Sequence, residues 1–295
     1  YRRFLICMEK VHVSISHFQN GKKLYLNEII DEYNNYPFQV DIYIHTNKFK
    51  INNFRKDEYL NGKIKIIREF VLFRYPFFKN KNYYLTWTSR RKIKKNINNY
   101  DIFIYIEDDI LIPVDAFDYW YKTKDDLYSN GYSQGFVRLE TDKHGNEIAV
   151  DFHKKKLKKV INLQGKEFYV NDNNRYMACW IYDQKMMKKW IKSGYFDIKK
   201  IYTSKELRSE ILDTLRIKNL RIRHLLYNFK NKKGFGIREN SAFGMNKESL
   251  PFFKEILIPK YETSIDRRAK IFHISNSYLD SGHDVIAIVN LNEIT

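Results

Sequence analysis

Residues 100–112, Tyr100-Asp101-Ile102-Phe103-Ile104-Tyr105-Ile106-Glu107-Asp108-Asp109-Ile110-Leu111-Ile112, set three consecutive carboxylates where an apolar run ends. Tyr100 and the run Ile102 to Ile106 are β-branched or aromatic, the composition of a core strand in a sheet covered on both faces. Glu107, Asp108 and Asp109 then fall at the strand's carboxyl end, the edge at which open α/β sheets bind ligands. Adjacent carboxylates repel one another unless a cation or a hydrogen-bond network compensates them. The expectation is a divalent-metal and nucleotide site; the alternative for such a triplet is a solvated acidic turn.

Outward from this stretch the chain alternates strand-like and helix-like segments, the pattern of a layered α/β domain. Residues 4–13 predict a first strand, and residues 24–33 a helix with Leu24, Ile29, Ile30 and Tyr33 on one side. Residues 40–45 predict a second strand running into His45-Thr46-Asn47, and residues 63–71 a third. Residues 83–97 predict a basic helix with Trp87, Arg90 and Arg91. Beyond the triplet, Pro113 suits the first turn of a helix through Phe117, Trp120 and Leu127. Residues 131–140 read as a strand and residues 143–170 as a hairpin excursion around Gly145 and Gly165. Residues 176–191, with Trp180 and Trp190, and residues 205–229 predict helices. The turn Gly234-Phe235-Gly236 leads to Arg238-Glu239-Asn240, and a last strand over residues 270–275 carries His273.

With 295 residues, 43% of them hydrophobic, the chain is long enough to bury a substantial core and is not a disordered one. Its 53 basic and 35 acidic residues give a net charge of +18, which favours anionic partners: nucleotide diphosphates, acidic glycans, nucleic acid or a membrane surface. Much of that charge is Lys dispersed among Asn, Ile and Tyr, a bias that coding composition alone can produce. Cys7 and Cys179 are the only cysteines, which excludes a disulfide framework, and neither lies in a zinc or Cys-His context. No Asn-x-Ser/Thr acceptor, signal-peptide pattern or long apolar run occurs. The expectation is a cytoplasmic chain, with peripheral membrane contact open; because it begins at Tyr1, a targeting or anchor segment could precede it.

The strand ending Ile104-Tyr105-Ile106-Glu107-Asp108-Asp109-Ile110 follows Leu85-Thr86-Trp87-Thr88-Ser89-Arg90 on a helix. Far downstream come Arg238-Glu239-Asn240 and His273-Ile274-Ser275-Asn276. In this order of motifs the chain resembles nucleotide-sugar-dependent glycosyltransferases of the GT-A fold, the triplet standing where that family has Asp-x-Asp. The resemblance implies a Rossmann-like mixed sheet flanked by helices, with a nucleotide-sugar half over residues 1–112 and an acceptor half over 113–295. It implies transfer of a hexose-like sugar from a nucleoside-diphosphate donor, UDP-linked as the first choice, to a glycan or other hydroxyl acceptor, with Mn²⁺ or Mg²⁺.

By the same resemblance Asp109 and His273 would bind the metal, Glu107 would hold the ribose or a metal-bound water, and Asp108 would assist. Arg90 would contact the diphosphate or brace the acidic loop, since guanidinium pairs bidentately with either. Glu9, His12 and Ser14 on the first strand, and Thr46 and Asn47 after the second, would hold base and ribose. An inverting transferase needs a general base; Glu239 after its glycine turn is the candidate, with Arg238 beside it. Tyr132, Tyr176 and Trp180 would stack on sugars. The competing expectations are a nucleic-acid-binding protein or metal-dependent nuclease or nucleotidyltransferase, from the charge and the basic run 216–224, and a non-catalytic glycan-binding protein on this scaffold. Nucleic acid is not the expected partner, because the basic residues are dispersed and no recognised module is present.

Overall fold

The computed structural model describes residues 9–17, 24–69, 82–152, 156–172, 177–197, 252–281 and 289–295. Cys7, Tyr176, the basic helix expected over 205–229, and the segment Gly234 to Asn240 with Arg238 and Glu239 lie outside the described residues.

Along the chain run β1 (Lys10–His17), α1 (Leu26–Asn34), β2 (Gln39–Thr46), β3 (Ile64–Arg68), α2 (Asn82–Asn96), β4 (Ile102–Glu107) and β5 (Ile110–Leu111). Then come α3 (Val114–Ser129), β6 (Tyr132–Gln134), β7 (Val137–Thr141), β8 (Glu147–Ala149), β9 (Val160–Leu163), β10 (Lys166–Val170), β11 (Cys179–Asp183) and α4 (Gln184–Ser193). The last described elements are β12 (Glu255–Tyr261), β13 (Ser264–Ile265), β14 (Lys270–His273), α5 (Ser277–Ser281) and β15 (Val289–Asn290). The sequence places one boundary after residue 112; the compact units change over after Asp108, and the chain re-enters the first unit at Trp180.

The first unit is built on a five-stranded sheet in the order β11-β4-β1-β2-β3. β1 runs parallel to both β2 and β4, and β2 parallel to β3. β4 is buried at every position and β1 at all but Lys10, as a strand covered on both faces requires. On α1 the buried residues are Leu26, Ile29, Ile30 and Tyr33, spaced three and four apart along one helical stripe. The order β3-β2-β1-β4 is that of a mononucleotide-binding half, whose reversal point lies between β1 and β4.

Two expectations change here. Residues 4–8 of the first expected strand lie outside the described residues; the described strand is Lys10–His17, which continues past Val13 because its polar residues are satisfied inside: Ser14 Oγ meets His12 Nε2 at 3.0 Å, and Ser16 Oγ donates to Leu85 O at 3.5 Å. His12 and Ser14 are therefore mid-strand core residues, and His17 holds the carboxyl end. The helix expected over 176–191 is instead a strand, β11, followed by α4. Asp183 divides them, its side chain accepting from Met186 N at 2.8 Å as an N-cap, and the preceding Cys-Trp-Ile-Tyr run pairs in the sheet. Trp180, 1% exposed, stacks on Tyr105 and Tyr182 and meets Trp190 edge-on, so it is core and not a sugar platform.

His12 makes the first unit sensitive to acid. Its ring is fully buried, stacked on Tyr43, and accepts at Nδ1 from Asn96 Nδ2, which fixes a neutral tautomer whose Nε2–H donates to Ser14. Burial, with His45 and Lys92 nearby, holds its pKa well below the ordinary histidine value. The unfolded chain therefore binds this proton first, and stability is present above the unfolded pKa and falls as pH drops below it, by about 1.4 kcal/mol per pH unit. Urea unfolding of the wild type and His12→Asn from pH 7.5 to 5 is expected to show this loss in the wild type and a smaller slope in the variant.

The second unit holds two sheets, one in the order β13-β12-β10-β9 with β6 beside β12, the other β15-β8-β7-β14-β5. The strand expected over 131–140 is split between them. Gly135 is the break: a Cβ there would lie 2.3 Å from Ile256 Cγ2, so only glycine lets the chain pass so close to β12 on its way from β6 to β7. Val137, Leu139, Tyr169, Ile258, Ile265 and Ile294 are among the residues of a shared core. α3 begins after Pro113 and buries Phe117, Trp120 and Leu127 as expected. The long strand foreseen over 101–112 ends at Glu107; Asp108 and Asp109 form a turn, and β5 pairs antiparallel with β14.

Candidate functional site

Because β1 to β4 are parallel, their carboxyl ends form one edge of the first unit's sheet. The register sets Glu107 beside Ser16, His17 beside Thr46, and Thr46 beside Arg68, so the strand ends make a polar row. Glu107 is 2% exposed, and the Asp108 amide donates to Ser16 O at 3.1 Å. His17 Nδ1 donates to Asp108 Oδ2 at 2.6 Å, a buried pair joining the ends of β1 and β4 at the reversal point. Thr46 is buried, with Oγ1 accepting from Lys48 N at 3.1 Å, and Asn47 beyond it is exposed. Beside Thr46 on the same strand, His45 Nδ1 donates to Glu69 Oε1, just past β3, at 3.0 Å.

Arg90 is only 4% exposed. Its guanidinium donates to Phe196 O at 2.9 Å and lies over the rings of Trp87, Trp190 and Phe196, with its carbon 4.0, 4.9 and 4.9 Å from their centroids. A cation so enclosed ties α2 to the segment after α4 and has little surface left for a diphosphate.

In the second unit Asp109 and His273, 164 positions apart, meet with Oδ2 and Nε2 3.1 Å from each other. The register explains it: His273 pairs with Ile110, and Ile274 N donates to Asp109 O at 2.9 Å. On the other side of the ring, His273 Nδ1 donates to Glu140 Oε1 at 2.5 Å. Glu140, wholly buried, also accepts from the amides of Tyr278 and Leu279 at 3.1 and 2.9 Å. Burial opposes charge on His273, yet the hydrogen bonds to Asp109 and Glu140 prevail and raise its pKa above the ordinary value. Arg138 forms a buried ion pair with Asp151 at 2.6 Å and donates to the Tyr278 hydroxyl at 3.1 Å.

Among the described residues no group of three or more His, Cys, Asp and Glu is set to hold a metal ion. Two protein ligands nonetheless suffice for Mg²⁺ or Mn²⁺ where substrate phosphates and water complete the shell. A carboxylate oxygen and an imidazole nitrogen suit Mn²⁺, and Glu140 behind His273 is the arrangement that keeps a metal-binding imidazole oriented. The donor set therefore fits such an ion.

Of the residues singled out in sequence, Glu107, Asp108 and Thr46 share the sheet edge of the first unit, Asp109 and His273 meet in the second, and Glu239 lies outside the described residues. Sequence reasoning gave no role to His17, Glu140 or Ser275. Glu140 had a signal: a carboxylate next to Leu139 in a strand that opens Val137-Arg138-Leu139 is set to be buried with Arg138 and must find a partner.

No family model and no curated protein is significantly similar to this chain. What fold and site define is the class, an α/β protein with mixed sheets flanked by helices and a Rossmann-like strand order in its first unit. Among the described residues no helix is long and apolar enough to cross a membrane.

Proposed function

We propose that the chain is a metal-dependent glycosyltransferase of the GT-A fold, moving a hexose-like sugar from a nucleoside diphosphate, UDP by preference, to a hydroxyl acceptor with inversion. The observation that carries this is the meeting of Asp109 and His273 at 3.1 Å, residues from distant parts of the chain that the family resemblance names as ligands. The mononucleotide-type strand order with a polar row at its carboxyl edge supports a nucleotide on the first unit. A bound Mn²⁺ or Mg²⁺ would neutralise charge on the departing diphosphate.

The chain's own groups have separate tasks. Asp109 Oδ2 and His273 Nε2 hold the ion, and Glu140 fixes the ring by taking the Nδ1 proton in a hydrogen bond. Glu107 at the end of β4 is the candidate for the ribose, and Asp108 is braced by His17. Glu239 remains the proposed base for the acceptor hydroxyl. The test is incubation with Mn²⁺ and a panel of sugar nucleotides: slow hydrolysis or a thermal shift with one donor is expected, and no response to any donor, with or without metal, would count against the proposal.

A further inference from the structure

Resting on that metal-dependent reading, we infer that Ser275 is a third protein ligand of the ion, its hydroxyl oxygen completing a triangular face with Asp109 and His273. Ser275 Oγ lies 3.2 Å from Asp109 Oδ2 and 3.0 Å from His273 Nε2, and those two are 3.1 Å apart. The triangle is nearly equilateral. An octahedral ion with bonds of about 2.1 Å has face edges of roughly 3.0 Å, whereas a tetrahedral ion with the same bonds needs edges of roughly 3.4 Å. The three atoms thus have the size of an octahedral face, the geometry of Mg²⁺ and Mn²⁺, and a serine hydroxyl is a hard donor of the kind that nucleotide-binding loops give Mg²⁺.

The backbone holds this face in place. Ser275 follows His273 by two residues, and the turn beyond it is pinned by Asn276, whose left-handed φ of 49° a short polar side chain tolerates. The Asn276 amide both donates to Thr141 O at 3.0 Å and accepts from Thr141 N at 3.3 Å, standing in for a strand partner at the end of β7. Glu140 fixes the ring and caps the two amides that follow the turn.

The same atoms have the spacing of a nucleophile, base and orienting carboxylate, Ser275, His273 and Glu140. Asp109 decides between the two: its carboxylate accepts from the Ser275 hydroxyl at 3.2 Å and would repel negative charge developing at an attacked centre there. A cation is what this cluster of oxygen and nitrogen lone pairs suits.

The experiment is titration of the full chain with Mn²⁺ and with Cd²⁺, followed by calorimetry and by the Mn²⁺ electron paramagnetic resonance signal. Ser275→Ala is expected to weaken Mn²⁺ about tenfold or more, and Ser275→Thr to retain it. Ser275→Cys is expected to shift the Cd²⁺-over-Mn²⁺ preference by about tenfold or more, because thiolate is the softer donor. Wild-type affinity in all three, with Asp109→Ala abolishing binding, overturns the role of Ser275 and leaves the metal site standing. No saturable Mn²⁺ binding by the wild type takes down both. Covalent labelling of Ser275 by a fluorophosphonate, lost in His273→Ala, would overturn the ligand role in favour of a nucleophile.

Discussion

Asp109→Ala is expected to lower turnover of the sugar-nucleotide donor at least ~100-fold, about 2.7 kcal/mol of lost transition-state stabilisation, and to erase the Mn²⁺-dependent rise in melting temperature. The folded chain without metal should be little changed. Asp109 sits in a turn, its side chain is 26% exposed, and His273 keeps Glu140 when Asp109 is removed. Asp109→Asn separates charge from shape, since an amide keeps the hydrogen-bonding contour and loses the anion. If both variants bind Mn²⁺ and turn over donor as the wild type does, Asp109 is not a ligand.

The second large effect lies in the first unit. Arg90→Ala removes a buried cation from three aromatic rings and a hydrogen bond to Phe196 O, and is expected to cost about 3 kcal/mol or more in urea unfolding. Arg90→Lys should recover little, because an ammonium cannot lie flat between rings as a guanidinium does. The family resemblance has Arg90 contact the diphosphate or brace the acidic loop, and the first of these roles predicts the opposite pattern: unchanged stability, a raised KM for the donor and partial rescue by Lys. The two measurements together assign the residue.

Much of the first unit was legible because its signals are local. A short run such as Ile102 to Ile106, β-branched or aromatic throughout, favours a covered strand, and Leu26, Ile29, Ile30 and Tyr33 mark one face of a helix. The segment from Cys179 to Ser193 was not, because its apolar residues suit either period; the Asp183 carboxylate, accepting from Met186 N, marks where strand becomes helix. Pairings across sequence were harder still. Glu140 and His273 are 133 positions apart and meet because β7 and β14 are neighbours in a parallel register, which no periodicity along either strand reports. Ser275 stood in the His273-Ile274-Ser275-Asn276 motif without a role, since its two contacts exist only once the turn is pinned to Thr141. The acidic triplet is contiguous in sequence, yet Asp108 answers to His17 in one unit and Asp109 to His273 in the other.

The most direct measurement is an anomalous difference map at the manganese edge from crystals soaked with MnCl₂ and UDP. The account predicts one strong peak within bonding distance of Asp109 Oδ2 and His273 Nε2. A peak elsewhere, or none at these two atoms with UDP bound, would contradict it.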